Sequence, residues 1–281
     1  MPLLEVLILN SGRLGPVIEG EIRSSSASYP QVSLPCLTEI DIAEREGADG
    51  SLSLLLHIQP SSGCSLFYSC LFSHHFPEPL NIELSCSVLS TYSRYCHELS
   101  DVTVLDVRIS NTHFNFDIAL PHKRCFSFGV ENLMDRFPRQ AVPSFLRSLT
   151  TLQLDKITEL KLLIEFAEFL LLDSETLKFV FAFVSVESWT TSALSLNALT
   201  VIQSNNPTAL AFPGLKTIHV DHIYNPGHIS YIEDFLDSRI RLGKPVKTLA
   251  LTPSADTVRL DTEPLRKFSP YLKLHLSEAL T

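Results

Sequence analysis

The 281-residue sequence has little positive charge and no run of basic residues. It contains 22 lysine and arginine residues against 31 aspartate and glutamate residues, which gives a formal net charge of −9. Nucleic acids and anionic membranes are usually bound through concentrated basic patches. We therefore expect neither as a partner. The charge balance favours a soluble protein whose partner, where it is charged, is basic.

The sequence also lacks the features of a secreted or membrane protein. Its six cysteines include no CxxC pair, and their spacings match no small disulfide scaffold. Asn206 could begin a glycosylation sequon, but Pro207 blocks it, and no basic segment with an apolar signal core opens the chain. Charged residues interrupt the apolar stretch 161–186, which argues against a membrane span. These absences predict reduced thiols and a cytoplasmic or nuclear location.

Local motifs for nucleotide, ester or metal chemistry are missing as well. The nearest approach to a metal site is His219, Asp221 and His222, because alternation along a strand would place His219 and Asp221 on one face. Two polar residues on a solvated strand face explain the same pattern. We therefore expect no enzyme, no metal and no cofactor. The alternative is a hydrolase or metal-dependent enzyme on an irregular α/β fold.

A six-residue pattern recurs along the chain, with aliphatic residues at its first, fourth and sixth places. Residues 149–154 carry it, as do residues 4–9, 37–42, 215–220 and 246–251, and weaker copies occupy residues 102–107, 177–182 and 196–201. In a strand, the fourth and sixth side chains would share a buried face while their neighbours point outward. One such strand cannot bury its own apolar face, so the copies are expected to stack in parallel.

The recurrence predicts an α/β fold, specifically an irregular leucine-rich-repeat solenoid. Its curved parallel sheet would have helices and loops on the outer side, in a single domain spanning residues 1–281 with irregular insertions around residues 60–100 and 110–145. An ordinary α/β domain with unrelated amphipathic strands is the competing interpretation. Helices are expected at residues 51–58, 131–137, 141–147, 160–172 and 230–242. Further strands are expected at residues 64–70, 80–89, 114–118 and 272–276.

The outward-facing positions of these strands predict a binding surface on the concave side. The residues expected to line it are Glu39, Asp41, Asp106, Asp155, Phe179, Phe181, Phe183, His219 and Asp221. Neighbouring carboxylates repel one another, and a basic partner would relieve that repulsion. The aromatic residues would supply a desolvated anchor while the acids steer the partner. The alternative is that a flanking loop or helix covers these aromatic residues. We therefore expect a basic peptide or protein surface as the ligand.

Several stretches resemble the repeat region of F-box-like proteins of mushroom-forming fungi. They are residues 34–42 (LPCLTEIDI), residues 212–220 (FPGLKTIHV) and the segment from Phe235 to Leu251. In that family an N-terminal F-box binds the Skp adaptor of a ubiquitin ligase, and the repeats hold the substrate. The resemblance implies a protein–protein interaction module that forms the substrate-recognition part of such a ligase. Because no F-box precedes the first repeat in this sequence, the Skp adaptor is expected as a partner only where an upstream F-box exists.

Overall fold

The structure is a computed structural model and shows an α/β protein with mostly parallel strands. It describes residues 3–10, 30–44, 49–61, 63–72, 80–98, 104–120, 123–132, 137–138, 140–165, 173–207, 209–223, 225, 227–254 and 260–276. The described strands are β1 (Val6–Asn10), β2 (Val32–Leu34), β3 (Glu39–Glu44), β4 (Ile58–Pro60), β5 (Ser65–Phe72), β6 (Val104–Ser110), β7 (His113–Leu120), β8 (Lys123–Asn132), β9 (Glu159–Glu165), β10 (Ser188–Thr191), β11 (Thr217–Ile223), β12 (Thr248–Pro253) and β13 (Lys273–Leu276). The described helices are α1 (Asp49–His57), α2 (Ile82–Glu98), α3 (Ala141–Leu149), α4 (Ser174–Phe181), α5 (Ala193–Asn205) and α6 (Gly227–Arg241), with 3₁₀ helices at Leu154–Lys156 and Glu263–Phe268.

The chain divides into two compact units, of which the first comprises Met1–Val102 and Thr112–Leu152. Its sheet has the order β1, β3, β5, β8, β7, with β7 antiparallel to β8 and the other neighbours parallel. Strands β2 and β4 form a separate parallel pair. Phe145 of α3 lies 4.8 Å from Phe114 and 6.3 Å from Phe128 between ring centroids. These buried aromatic rings join the helix layer to the sheet.

The second unit comprises Thr103–Asn111 and Gln153–Thr281. Its strands have the order β6, β9, β10, β11, β12, β13, and all neighbours are parallel. One row of paired residues crosses five of these strands: Glu159, Ser188, Thr217, Thr248 and Lys273. The steps along the chain are 29, 29, 31 and 25 residues (159 to 188 to 217 to 248 to 273). Each step contains one strand and one return segment.

Successive strands begin with the same backbone hydrogen bonds. The carbonyl oxygen of the residue before a strand accepts from two amides at the start of the next strand. The acceptors and their donors are Glu5 with Thr38 and Glu39, Thr158 with Glu187 and Ser188, Glu187 with Lys216 and Thr217, and Lys216 with Lys247 and Thr248. The arrangement occurs in both units, so the sequence repeat corresponds to a repeat in backbone geometry.

The helices of the second unit cover one face of its sheet. Trp189 of β10 is fully buried and packs edge-on against Phe212 and against Phe235 of α6. The Ser195 hydroxyl of α5 accepts a hydrogen bond from the Ile164 amide at 2.7 Å. Burying the apolar strand residues against these helices removes their surface from water, the main favourable term in folding.

Most of the predicted strands are confirmed, but the segment on which the pattern was clearest is not a strand. Leu149 ends α3, and Leu154 begins a 3₁₀ helix. The strand of this repeat starts later, where Ile157, Leu160 and Leu162 carry the same spacing and are buried. The helix predicted at residues 160–172 is therefore wrong over 160–165, which lie in β9, and residues 166–172 lie outside the described residues.

Three further strand predictions are wrong because the segments are helical. Residues 177–182 overlap α4, residues 196–201 lie in α5 and residues 80–89 overlap α2. Apolar residues three apart fit one face of a helix as well as the first and fourth places of the repeat. Capping decides between them: the Asp173 carboxylate accepts from the amides of Glu175 and Thr176, and the Ser192 hydroxyl accepts from the Ser195 amide.

The strands near Leu7, Ile40, Leu105, Ile218 and Leu249 are confirmed as β1, β3, β6, β11 and β12. The predicted strands at residues 64–70, 114–118 and 272–276 are also confirmed, as β5, β7 and β13. Helices α1, α3 and α6 match the predictions at residues 51–58, 141–147 and 230–242. The helix predicted at residues 131–137 is wrong over 131–132, which lie in β8, and residues 133–136 lie outside the described residues. The single-domain assignment of residues 1–281 and its two insertions stay predictions.

Candidate functional site

The described helices of the second unit leave one face of its sheet uncovered, which we call the open face. Its charged and polar members include Glu159, Lys161, Ser188, Thr190, Thr217, His219, Asp221, Thr248, Lys273 and His275. These side chains are exposed or half-buried, whereas the alternate residues Leu160, Ile218 and Leu249 are buried against the helices. Alternation along the strands therefore separates a packed face from a polar surface.

Asp106 lies on the open face as predicted, but its carboxylate forms ion pairs with two basic side chains. Its carboxylate contacts the Lys161 amino group at 3.5 Å and the Arg108 guanidinium at 3.2 Å. Arg108 also donates from Nε to Oδ1 of Asp106 at 3.3 Å. Lys161 was missed because β9 was predicted as a helix.

His219 and Asp221 share the open face of β11, as predicted from alternation. His219 is exposed and Asp221 is half-buried. The side chain of His222 lies outside the described residues. Among the residues that the structure describes, no three histidine, cysteine, aspartate or glutamate side chains are grouped so that they could hold a metal ion.

Four predicted surface residues do not lie on a strand. Asp155 is exposed in the 3₁₀ helix Leu154–Lys156. Phe179 and Phe183 are buried in the core, and Phe181 is half-buried at the end of α4. Phe183 packs edge-on against Phe179 at 5.0 Å and Phe212 at 6.2 Å between centroids. The prediction that Phe179 and Phe183 lie exposed on a strand face is therefore wrong, because their rings pack in the core.

Glu39 and Asp41 lie on β3 of the first unit, on the face opposite buried Ile40 and Ile42. In the register of the sheet, Val6 pairs with Glu39 and Ile8 pairs with Asp41. Val6 is 44% exposed and Ile8 is 56% exposed. Two half-buried carboxylates thus lie beside two exposed aliphatic side chains, and we call these four residues the acidic–apolar patch.

A shallow cleft of about 200 Å³ lies at the amino-terminal ends of β9, β10 and β11. Its lining residues are Thr158, Glu159, Glu187, Ser188, Lys216 and Thr217. An ion pair between Lys216 and Glu187, at 2.5 Å, joins two successive repeats beside it. The sequence analysis missed this cleft, because it predicted a helix over β9 and no strand at β10.

Comparison with protein-family models, with curated proteins and with solved structures found no match. In the described part of the chain, no helix is both long and apolar enough to cross a membrane. The geometry of the open face and of the acidic–apolar patch is therefore the basis on which a function can be proposed.

Proposed function

We propose that this chain is a protein-interaction module that binds its partner through the uncovered faces of its strands. The observation that carries the proposal is the repeated strand unit, which presents polar side chains to solvent at each step while its apolar side chains are buried. A row of short parallel strands offers a wide and rigid surface on which side chains are held at fixed spacing. Such a surface suits the recognition of another polypeptide.

We further infer that the architecture is an irregular leucine-rich-repeat solenoid. The steps of 25 to 31 residues between paired strand positions lie close to the 20–29-residue period of leucine-rich repeats. The repeated backbone hydrogen bonds before the strands support the same inference. With the resemblance to fungal F-box-like proteins, this supports a role as the substrate-recognition part of an F-box-type ubiquitin ligase.

The acidic–apolar patch supports a partner segment that is basic and partly apolar. Within the described residues, neither Glu39 nor Asp41 forms an ion pair with a lysine, arginine or histidine. A basic segment would supply the missing cations, and its apolar side chains would cover Val6 and Ile8. The apolar contact would provide most of the affinity, while the carboxylates would mainly speed and orient association.

The test begins with chemical cross-linking of the protein to a partner in cell extract, followed by identification of that partner. Its affinity is then measured for the wild type and for the double variant Glu39→Arg/Asp41→Arg. The control is Asp155→Arg/Asp234→Arg, which makes the same charge change at exposed residues away from the patch.

We expect the patch variant to weaken binding about tenfold, which corresponds to about 1.4 kcal/mol. Raising the salt concentration should slow association with the wild type, because exposed charges are screened. The control should change the affinity little. Equal effects of the two double variants would contradict the assignment of the patch as the binding site.

A further inference from the structure

One row of the open face is polar on five neighbouring strands, and the two ends of that polar stretch carry opposite charges. Beyond Glu159 the register continues to Val104 of β6. The row, which we call the polar row, consists of Glu159, Ser188, Thr217, Thr248 and Lys273, each paired with its neighbour in the register of the sheet. Glu159 and Lys273 are exposed, and the three hydroxyl side chains between them are half-buried. The hydroxyl groups can donate and accept hydrogen bonds.

Among the residues that the structure describes, none neutralises the charges at the two ends of the polar row. Within the described chain, neither Glu159 nor Lys273 forms an ion pair. Lys161 is the closest lysine to Glu159 along β9, but it contacts Asp106. Between the ends, Glu187 and Lys216 pair with each other. In the described part of the chain, the row therefore has a carboxylate without an ion-pair partner at one end and an ammonium group without one at the other.

The distance between the two ends follows from the spacing of the strands. Neighbouring strands lie about 4.8 Å apart, so the four steps from β9 to β13 span about 19 Å. An extended chain advances about 3.3 Å per residue, and about six residues therefore cover that distance.

We propose that the polar row binds an extended partner segment that carries one basic and one acidic residue about six positions apart. The basic side chain lies by Glu159, in the cleft at the ends of β9, β10 and β11, and the acidic side chain lies by Lys273. The hydroxyl groups of Ser188, Thr217 and Thr248 bond to the backbone between them. This inference rests on the proposed function, and it adds the charge pattern and the length of the segment that the second unit recognises.

Selection from a phage-displayed library of random twelve-residue peptides tests the pattern. Wild-type protein should enrich peptides with a lysine or arginine five to seven positions from an aspartate or glutamate. Selection on Glu159→Lys should instead enrich peptides with acidic residues at both positions. Between the two selections, the peptide charge should change only at the position that faces residue 159. Non-specific adhesion of peptides would not give such a change.

A synthetic copy of the most enriched peptide then provides affinities. Glu159→Lys should weaken its binding about two- to fivefold, which corresponds to about 0.4–1 kcal/mol and lies within the range measured for exposed ion pairs. The matched control is Glu165→Lys, at the other end of the same strand and also exposed, which should leave binding unchanged. Moving the two charges of the peptide to adjacent positions, with its composition kept, should weaken binding to the same degree as Glu159→Lys. Circular dichroism of each variant verifies that it is folded.

Three outcomes would overturn the inference. The first is enrichment of peptides without the charge pair, or no enrichment. The second is equal loss of affinity in Glu159→Lys and Glu165→Lys. The third is self-association of the wild type that Glu159→Lys abolishes, which would assign the row to a second copy of this chain. Peptides or partners that depend on Glu39 and Asp41 but not on Glu159 would leave the proposed function standing while this inference fails.

Discussion

Arg239 of α6 donates a hydrogen bond from Nη1 to the carbonyl oxygen of Ala211 at 2.9 Å, across 28 positions of the chain. Its Nη2 donates to the carbonyl oxygen of Phe212 at 3.2 Å and its Nε to that of Lys244 at 3.1 Å. Phe212 has a φ of 50°, in a region that bulky side chains rarely adopt. One buried guanidinium thus ties the turn before β11 to the turn that follows α6.

Replacing Arg239 with alanine should destabilise the second unit, because three carbonyl oxygens lose their donor in the interior. The loss is partly offset, since burial lowers the pKa of Arg239 to about 10 and shows that its charge is held at a cost. We expect a net loss of about 2–3 kcal/mol in the free energy of unfolding, measured with denaturant. Arg241→Ala, at an exposed position on the same helix, should cost about 0.5 kcal/mol or less. Similar losses in the two variants would argue against the structural role of Arg239.

The alternation along β11 and β12 predicts unequal effects of truncation. Ile218 and Leu249 are fully buried, so replacing either with alanine should lower the free energy of unfolding by about 2–5 kcal/mol. Leu152 is 8% exposed, so replacing it with alanine should lower the free energy of unfolding by an amount at the low end of that range. Gln153→Ala, at an exposed position, should change stability by about 0.5 kcal/mol or less. Denaturant unfolding distinguishes the buried from the exposed positions, and comparable losses at Gln153 and Ile218 would contradict the assignment of Ile218 to the core.

Cys70 predicts a dependence of stability on alkaline pH. Burial, with a smaller contribution from the charge of Glu44, raises the pKa of the Cys70 thiol to about 12 from a usual value of 9. Between these values the unfolded chain loses the proton while the folded chain keeps it, so stability is present below about pH 9 and is lost as pH rises toward 12. Cys70→Ala should make the fall of unfolding free energy with pH shallower by up to about 1.4 kcal/mol per pH unit. Ser69→Ala, on the same strand and without a titrating group, should leave the slope unchanged; an unchanged slope in Cys70→Ala would remove this explanation.

The acidic–apolar patch predicts self-association in the absence of a partner. Within the described chain β1 pairs with β3 alone, and Val6 and Ile8 are exposed beside that free edge. Unpaired strand edges with apolar residues favour contact with another chain. Ile8→Lys should lower the association seen by light scattering at increasing concentration, whereas Leu194→Lys, at a 45% exposed position on α5, should not. A wild type that stays monomeric at high concentration would contradict this prediction.

Part of the fold could be predicted because some segments allow only one periodicity. In β11 and β12 the aliphatic residues alternate with polar ones, and proline or glycine precedes them, so a strand was the natural interpretation. Residues 149–154 and 196–201 were ambiguous, since their leucines also fit one face of a helix. The outcome there depends on caps such as Ser192 and on packing partners that are distant in sequence.

The same reasoning explains which residues of the candidate site could be predicted from the sequence and which could not. Glu39, Asp41, Asp106, His219 and Asp221 were placed on strand faces by alternation alone, and the structure has them there. Phe179 and Phe183 were misplaced because the pattern did not distinguish α4 from a strand. The polar row was not foreseen, since its members become neighbours only when β9 and β10 are aligned with β11.

The sequence by itself determined that apolar and polar residues alternate in short segments, that these segments recur, and that an α/β arrangement of parallel strands follows. Those properties are local, because they depend on the directions of neighbouring side chains along one segment. Only the tertiary structure decided which segments are strands, which carboxylates are neutralised and which charges remain free. Asp106 meets Lys161 across two strands that are 55 positions apart in the chain (106 to 161), and Glu159 and Lys273 lie at opposite ends of one row. Such relationships arise from strand order and register, which bring together residues that no local pattern connects.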